Sequence, residues 1–109
     1  MKRKTVTVTI DRPLGSYHPK HKNLFYPVNY GYVKDVVGGD GEEQDAYVLG
    51  VTEAVSEFTG EVIAVIIREN DEEDKWVVVP EGVRFTEKEI AELTYFQERY
   101  FKIRIEMLT

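Results

Sequence analysis

The chain has 109 residues, no cysteine and a formal net charge of −6. That length leaves room for one domain and no second core, and the lack of cysteine excludes disulfides and thiolate metal sites. The acidic balance argues against a nucleic-acid binder that works by counterion release; a polyanionic ligand would have to be drawn by bound metal ions and a few placed cations. No apolar stretch looks like a signal peptide or a membrane span, so a single-domain cytoplasmic protein (residues 1–109) without a membrane partner is expected.

Lys4 to Ile10 alternates strictly, with Val6, Val8 and Ile10 on one face and Thr5, Thr7 and Thr9 on the other, as a half-buried strand does. Asp11-Arg12-Pro13 ends it, because Pro13 has no ladder donor. Leu14 to Phe25 is a turn-rich connection carrying His18, Lys20, His21 and Lys22, the densest basic patch in the chain. Two histidines without a third soft ligand read as a solvated loop. Tyr26-Pro-Val-Asn-Tyr-Gly-Tyr32 follows and runs into a second strand. A phenol can pack as an aromatic while its hydroxyl meets an oxyanion, so these tyrosines are either core or ligand contacts.

Gly38-Gly39 then allows a sharp turn into Asp40-Gly-Glu-Glu-Gln-Asp45, with the apolar strand Ala46–Val51 beyond it. Like charges about 4 Å apart repel by roughly 4 kcal/mol at an effective dielectric near 20. The four carboxylates Asp40, Glu42, Glu43 and Asp45 therefore either disperse in solvent or converge on a cation. Asp45 opens an apolar strand and cannot easily turn away from the body.

Glu61 to Ile67 reads as a continuous, central apolar strand. Arg68 to Asp74 is an acidic hairpin loop that feeds a strand over Lys75–Val79. Thr86-Glu-Lys-Glu89 is a capping box. The helix it starts would turn Ile90, Leu93, Phe96 (or Gln97) and Tyr100 inward, and renewed alternation over Lys102–Met107 admits a last strand. Short strands without helical crossovers leave no material for parallel winding. The expected fold is mainly β: a small OB-type five-stranded Greek-key barrel with one C-terminal helix.

Tyr26-Pro-Val-Asn-Tyr-Gly-Tyr-Val33, followed at short distance by Asp40-Gly-Glu-Glu-Gln-Asp45, resembles the signature of the soluble family I inorganic pyrophosphatases. That family writes its acidic motif as D-G-D-P-x-D. The similarity runs over about Ile10 to Tyr100 and is strongest at 25–51 and near Asp74–Pro80. It implies hydrolysis of inorganic diphosphate, or a related small phosphoanhydride, to two orthophosphates by a water activated by two or more Mg²⁺ ions, in a homo-oligomer. Carboxylates that hold Mg²⁺ between protein and substrate would neutralise both and lower the pKa of a bound water.

By position, Asp40, Asp45 and Asp11 would be metal ligands, with Asp74 (or Glu73) a further one and Asp71 or Glu69 a weaker candidate. Glu42 would be the base that orients the attacking water. Tyr30 and Lys75 would serve the reacting phosphate, while Lys22, Tyr26, Tyr100 and Lys102 would bind substrate.

The departures from the family are specific. Glu42 replaces an aspartate and moves the carboxylate by about 1.5 Å, a shift that costs about a hundredfold where geometry is critical. Glu43 replaces a proline, and Phe101 stands where the family has a lysine. The family's early-strand lysine and arginine have only Arg12, Lys20 and Lys22 as substitutes. These changes imply weaker activity, an altered substrate, or a non-catalytic module that binds metal and phosphate-containing metabolites. An OB-type nucleic-acid binder would need a basic groove with stacking aromatics, whereas carboxylates flank these tyrosines, so no nucleic-acid partner is expected.

Overall fold

The computed structural model describes residues 1–109. Six strands and one helix follow one another as β1 (Thr5–Arg12), β2 (Asn29–Val37), β3 (Glu43–Val48), β4 (Glu57–Arg68), β5 (Asp74–Val79), α1 (Glu87–Glu98) and β6 (Ile103–Met107). Around the barrel the order is β1-β2-β3-β5-β4, and β4 pairs back onto β1 to close it. The OB-type barrel expected from the sequence is therefore present.

No strand pair is joined by a helical crossover, as expected, yet the barrel holds one parallel pair. β3 and β5 pair in parallel, from Ala46 opposite Trp76 to Val48 opposite Val78, although no helix connects them. The reason is parity. Antiparallel neighbours alternate in direction, so a closed ring of five strands must contain a parallel pair, and the antiparallel strand β4 serves as the crossover.

β4 is long enough to serve two partners along one edge. Glu57–Glu61 pairs with β1, and Ala64–Arg68 pairs with β6. A register shift between Val62 and Ala64 separates the halves. The strand β6 also means that the helix is not the last element.

The bulge explains why the Glu61–Ile67 run is apolar throughout. Val62 and Val65 join Val8, Ile10, Val33, Ala46, Val48, Trp76 and Val78 inside the barrel. Ile63, Ala64 and Ile66 face outward with Tyr47, Leu49, Val77 and Val79, where Ile90 of α1 covers them. Both faces of this wall are buried, so polar alternation disappears from its sequence. Between β1 and β2 the backbones meet at Gly31, where a Cβ would lie 1.9 Å from the Thr9 carbonyl oxygen.

The capping box forms as expected. Thr86 Oγ1 accepts from the Glu89 amide at 3.1 Å, and Glu89 Oε1 accepts from the Thr86 amide at 2.8 Å. The inward stripe differs, however: α1 buries Ile90, Thr94 and Glu98, while Leu93 is exposed and Tyr100 lies beyond the helix end. Thr94 is buried because its hydroxyl donates to the Ile90 carbonyl at 2.8 Å, and Glu98 because two side chains of the barrel meet it there.

Candidate functional site: a basic cleft on the outer barrel wall

Strand alternation decides which residues can share a site. Asp45 has the parity of Tyr47, Arg68 that of Ile66, and Lys75 that of Val77, so all three point to the outer face that α1 covers. The helix ends at Glu98 and leaves part of this face open. An open cleft of about 920 Å³ occupies the gap, walled by Asp11 and Arg12, the 18–24 loop, Tyr26 and Tyr30, and the Gln97–Phe101 segment.

Asp11, Lys22, Tyr26, Tyr30, Asp45, Lys75 and Tyr100 of the expected site residues line the cleft; Asp40, Glu42, Asp74 and Lys102 do not. Asp40 and Glu42 belong to an exposed tight turn, in which the Gly38 amide donates to the Glu42 carbonyl at 2.7 Å. The Asp40 carboxylate accepts from the Glu42 amide at 3.0 Å. Asp74 has the parity of Trp76 and faces Arg104 and Glu106 of β6; burial is the main cause that raises its pKa. Glu73, the other candidate at that position, is the one that reaches the cleft. Lys102 is exposed and lies 3.6 Å from Glu69.

The cleft floor is a set of interlocking charges. Lys75 is 2% exposed; its Nζ donates to Asp45 Oδ2 at 2.6 Å and also bonds Glu73 Oε1. Arg68, also buried, forms a two-pronged pair with Glu98, Nε to Oε1 at 2.9 Å and Nη2 to Oε2 at 2.8 Å. The Phe101 ring centroid lies 3.7 Å from the Arg68 Cζ. Burial alone would favour loss of the Arg68 proton, but Glu98 outweighs it and raises the pKa. Glu98 Oε2 also accepts from the Tyr47 hydroxyl at 2.6 Å. Gln97 continues the chain of bonds, donating to Tyr47 at 2.7 Å and accepting from Tyr26 at 2.7 Å.

Burial first, and then Asp45 for Tyr30 and Glu98 for Tyr47, lifts both phenols well above their ordinary pKa. They therefore remain neutral hydroxyls at physiological pH. Arg68 and Glu98 were not singled out in the sequence, and Gln97 was named there only as a packing position on the helix. A basic residue ending an apolar strand and a glutamate two turns after Ile90 are the signals that mark them, and neither is specific.

The rim is built differently. His18 Nδ1 accepts from the Lys20 and His21 amides at 3.0 and 3.1 Å, which tightens the loop. Partial burial, then Arg12, His21 and Lys20, lower the His18 pKa. Arg12, Lys20, Lys22 and Arg99 stand here against Asp11 alone, and Arg12 Nε is buried with no hydrogen-bond partner. Six Lys or Arg thus line the cleft with three carboxylates (Asp11, Asp45, Glu73), and with Glu98 paired to Arg68 on the floor the local excess is +2 in a chain of net charge −6. Such a field draws anions.

The residues do not fit a resident divalent metal. A hard divalent ion takes about six oxygen ligands, yet no three Asp, Glu or His side chains converge to hold one. The Lys75 ammonium lies between Asp45 and Glu73 and already offsets the two carboxylates that would have to hold such an ion. Arg68 Nη1 is 3.9 Å from Glu73 and 3.7 Å from Asp71. A divalent ion about 4 Å from a guanidinium meets a repulsion of about 8 kcal/mol at an effective dielectric near 20, twice the value for unit charges.

No family sequence model matches the chain, and no curated protein matches it. Solved structures do. The inorganic pyrophosphatase of Ehrlichia chaffeensis superposes with a TM-score of 0.70 at 20% identity, over 96% of this chain and 86% of that one. The inorganic pyrophosphatase of Helicobacter pylori gives 0.70 at 19% identity, over 95% and 85%. For that of Neisseria gonorrhoeae the values are 0.68 and 19%, over 88% and 73%. The chain has the fold of these bacterial inorganic pyrophosphatases over most of its length.

Proposed function

We propose that the chain binds a small phosphoanhydride anion in the cleft, with inorganic diphosphate the simplest member of the class. The observation that carries this reading is the gathering of Arg12, Lys20, Lys22, Arg68, Lys75 and Arg99 around one cleft of an acidic chain. Guanidinium and ammonium groups recognise phosphate oxygens through charge-assisted hydrogen bonds. Tyr26, Tyr30 and Tyr100 add phenol groups to the same walls. Titration calorimetry at low salt should give saturable diphosphate binding that weakens as ionic strength rises. No heat from diphosphate, triphosphate or an organic diphosphate ester overturns the reading.

A second reading is Mg²⁺-dependent hydrolysis of inorganic diphosphate to two orthophosphates. It is favoured by the shared fold and by the position of Asp45 and Tyr30 together in the cleft wall. It also needs carboxylates that now lie outside the cleft, Asp40 and Glu42 above all, to move into it. Orthophosphate release measured with and without Mg²⁺ decides between the two. Turnover that requires Mg²⁺ and is lost in Asp45→Asn establishes hydrolysis, and no release across several divalent ions leaves a binding module. No helix is long and apolar enough to cross a membrane, and a cytoplasmic homo-oligomer is part of the proposal; light scattering checks the assembly.

A further inference from the structure

We propose that Arg68 and Lys75 are built-in counter-ions that stand in place of divalent metal, so that the cleft takes its phosphate anion without a metal ion. This rests on the binding reading above and deepens it. Carboxylates in an anion site repel the ligand unless something positive covers them, and a bound ion is one cover. Here Lys75 covers Asp45 and Glu73 together.

A lysine alone would not settle the matter, because a flexible ammonium can swing aside and admit an ion. Arg68 has no such freedom. Its Nε and Nη2 are bonded to Glu98, its face is stacked on Phe101, and its side chain is 6% exposed. The fork is therefore held in one orientation. Glu98 is in turn fixed by the Tyr47 hydroxyl, which Gln97 ties to Tyr26.

The remaining edge of the guanidinium is held less tightly, by ion pairs alone. Nη1 makes no hydrogen bond: its nearest carboxylates, at 3.7 and 3.9 Å, are too far for one. Nor is it among the sealed, unsatisfied atoms of the molecule, of which Arg12 Nε is the only one. It is therefore not sealed from solvent, and it belongs to a side chain that lines the cleft. With the floor carboxylates covered, Arg12, Lys20, Lys22 and Arg99 are left to hold the charge of the ligand, and Arg68 Nη1 meets a phosphoryl oxygen from below.

The test uses the full wild-type chain, with titration calorimetry of diphosphate in EDTA and again in excess Mg²⁺, and a Mn²⁺ titration followed by electron paramagnetic resonance. The expected results are diphosphate binding in EDTA at least as tight as in Mg²⁺, and no Mn²⁺ bound to the free protein at micromolar concentration. Lys75→Gln, checked for folding by circular dichroism, should uncover Asp45 and Glu73. It should then gain Mn²⁺ binding and lose at least tenfold in diphosphate affinity in EDTA. Diphosphate binding seen only with Mg²⁺, or micromolar Mn²⁺ binding by the wild type, overturns the counter-ion proposal and leaves the binding reading intact. No diphosphate binding under either condition overturns that reading itself. The wild-type arms decide the question even if the variant does not fold.

Discussion

The floor of the cleft and its rim both carry several charges, but only those of the floor are paired with one another. On the floor, Arg68, Glu98, Lys75, Asp45 and Glu73 form buried or half-buried contacts at hydrogen-bond distance. On the rim, Lys20, Lys22 and Arg99 are exposed, and only Asp11 offsets them and Arg12. The floor charges belong to the folded structure, so removing one of them exposes its partner. The rim charges are spare, and spare charge on a concave surface is what recruits a ligand.

Breaking the floor gives the largest expected effect. Glu98→Ala strips buried Arg68 of its only hydrogen-bonded carboxylate, leaving Asp71 and Glu73 at 3.7 and 3.9 Å, and removes the acceptor of Tyr47. The expected loss of stability is about 3–5 kcal/mol, read from thermal or urea denaturation. A loss under 1 kcal/mol would mean that the floor is not a coupled unit.

Alkaline pH probes the same unit. The pKa values of Tyr26, Tyr30 and Tyr47 are raised, chiefly by burial, so the folded chain holds these phenols protonated where the unfolded chain would release their protons. The stability they contribute is fully present below the ordinary phenol value of 10.0 and is lost as pH rises past it. Denaturation midpoints should fall above that pH, and Tyr47→Phe should flatten the fall. An unchanged slope in the variant would exclude Tyr47 as a source.

The rim should respond in affinity and not in stability. Lys20→Gln with Lys22→Gln should change stability by no more than about 0.5 kcal/mol, the range for exposed positions. Diphosphate affinity should weaken about tenfold, equivalent to about 1.4 kcal/mol. Unchanged affinity would move the ligand away from the basic loop.

Much of the fold was legible in single residues. The Thr/Val alternation at 4–10, the Thr86–Glu89 capping box and the apolar run at 61–67 each mark an element that forms. The parallel β3–β5 pair was not legible, because it follows from closing an odd ring and no local pattern reports closure. The site was half legible. Asp45, Tyr30 and Lys75 reach the cleft because their strand parity sends them there. Asp40 and Glu42 carry the same motif but sit in a turn that bonds to itself. Asp74 and Glu73 are chain neighbours, and the pleat sends them to different faces.

The sequence by itself determined the elements, the placing of tyrosines and carboxylates at the starts of strands, and an acidic chain with one basic loop. These are local properties, governed by alternation, turn chemistry and composition. Only the tertiary structure decided which charges meet. Arg68 and Glu98 are 30 positions apart, and Tyr47 and Glu98 are 51. Their pairing depends on how the helix lies across the barrel wall, because a Coulomb contact falls off over a few ångströms and is indifferent to distance along the chain.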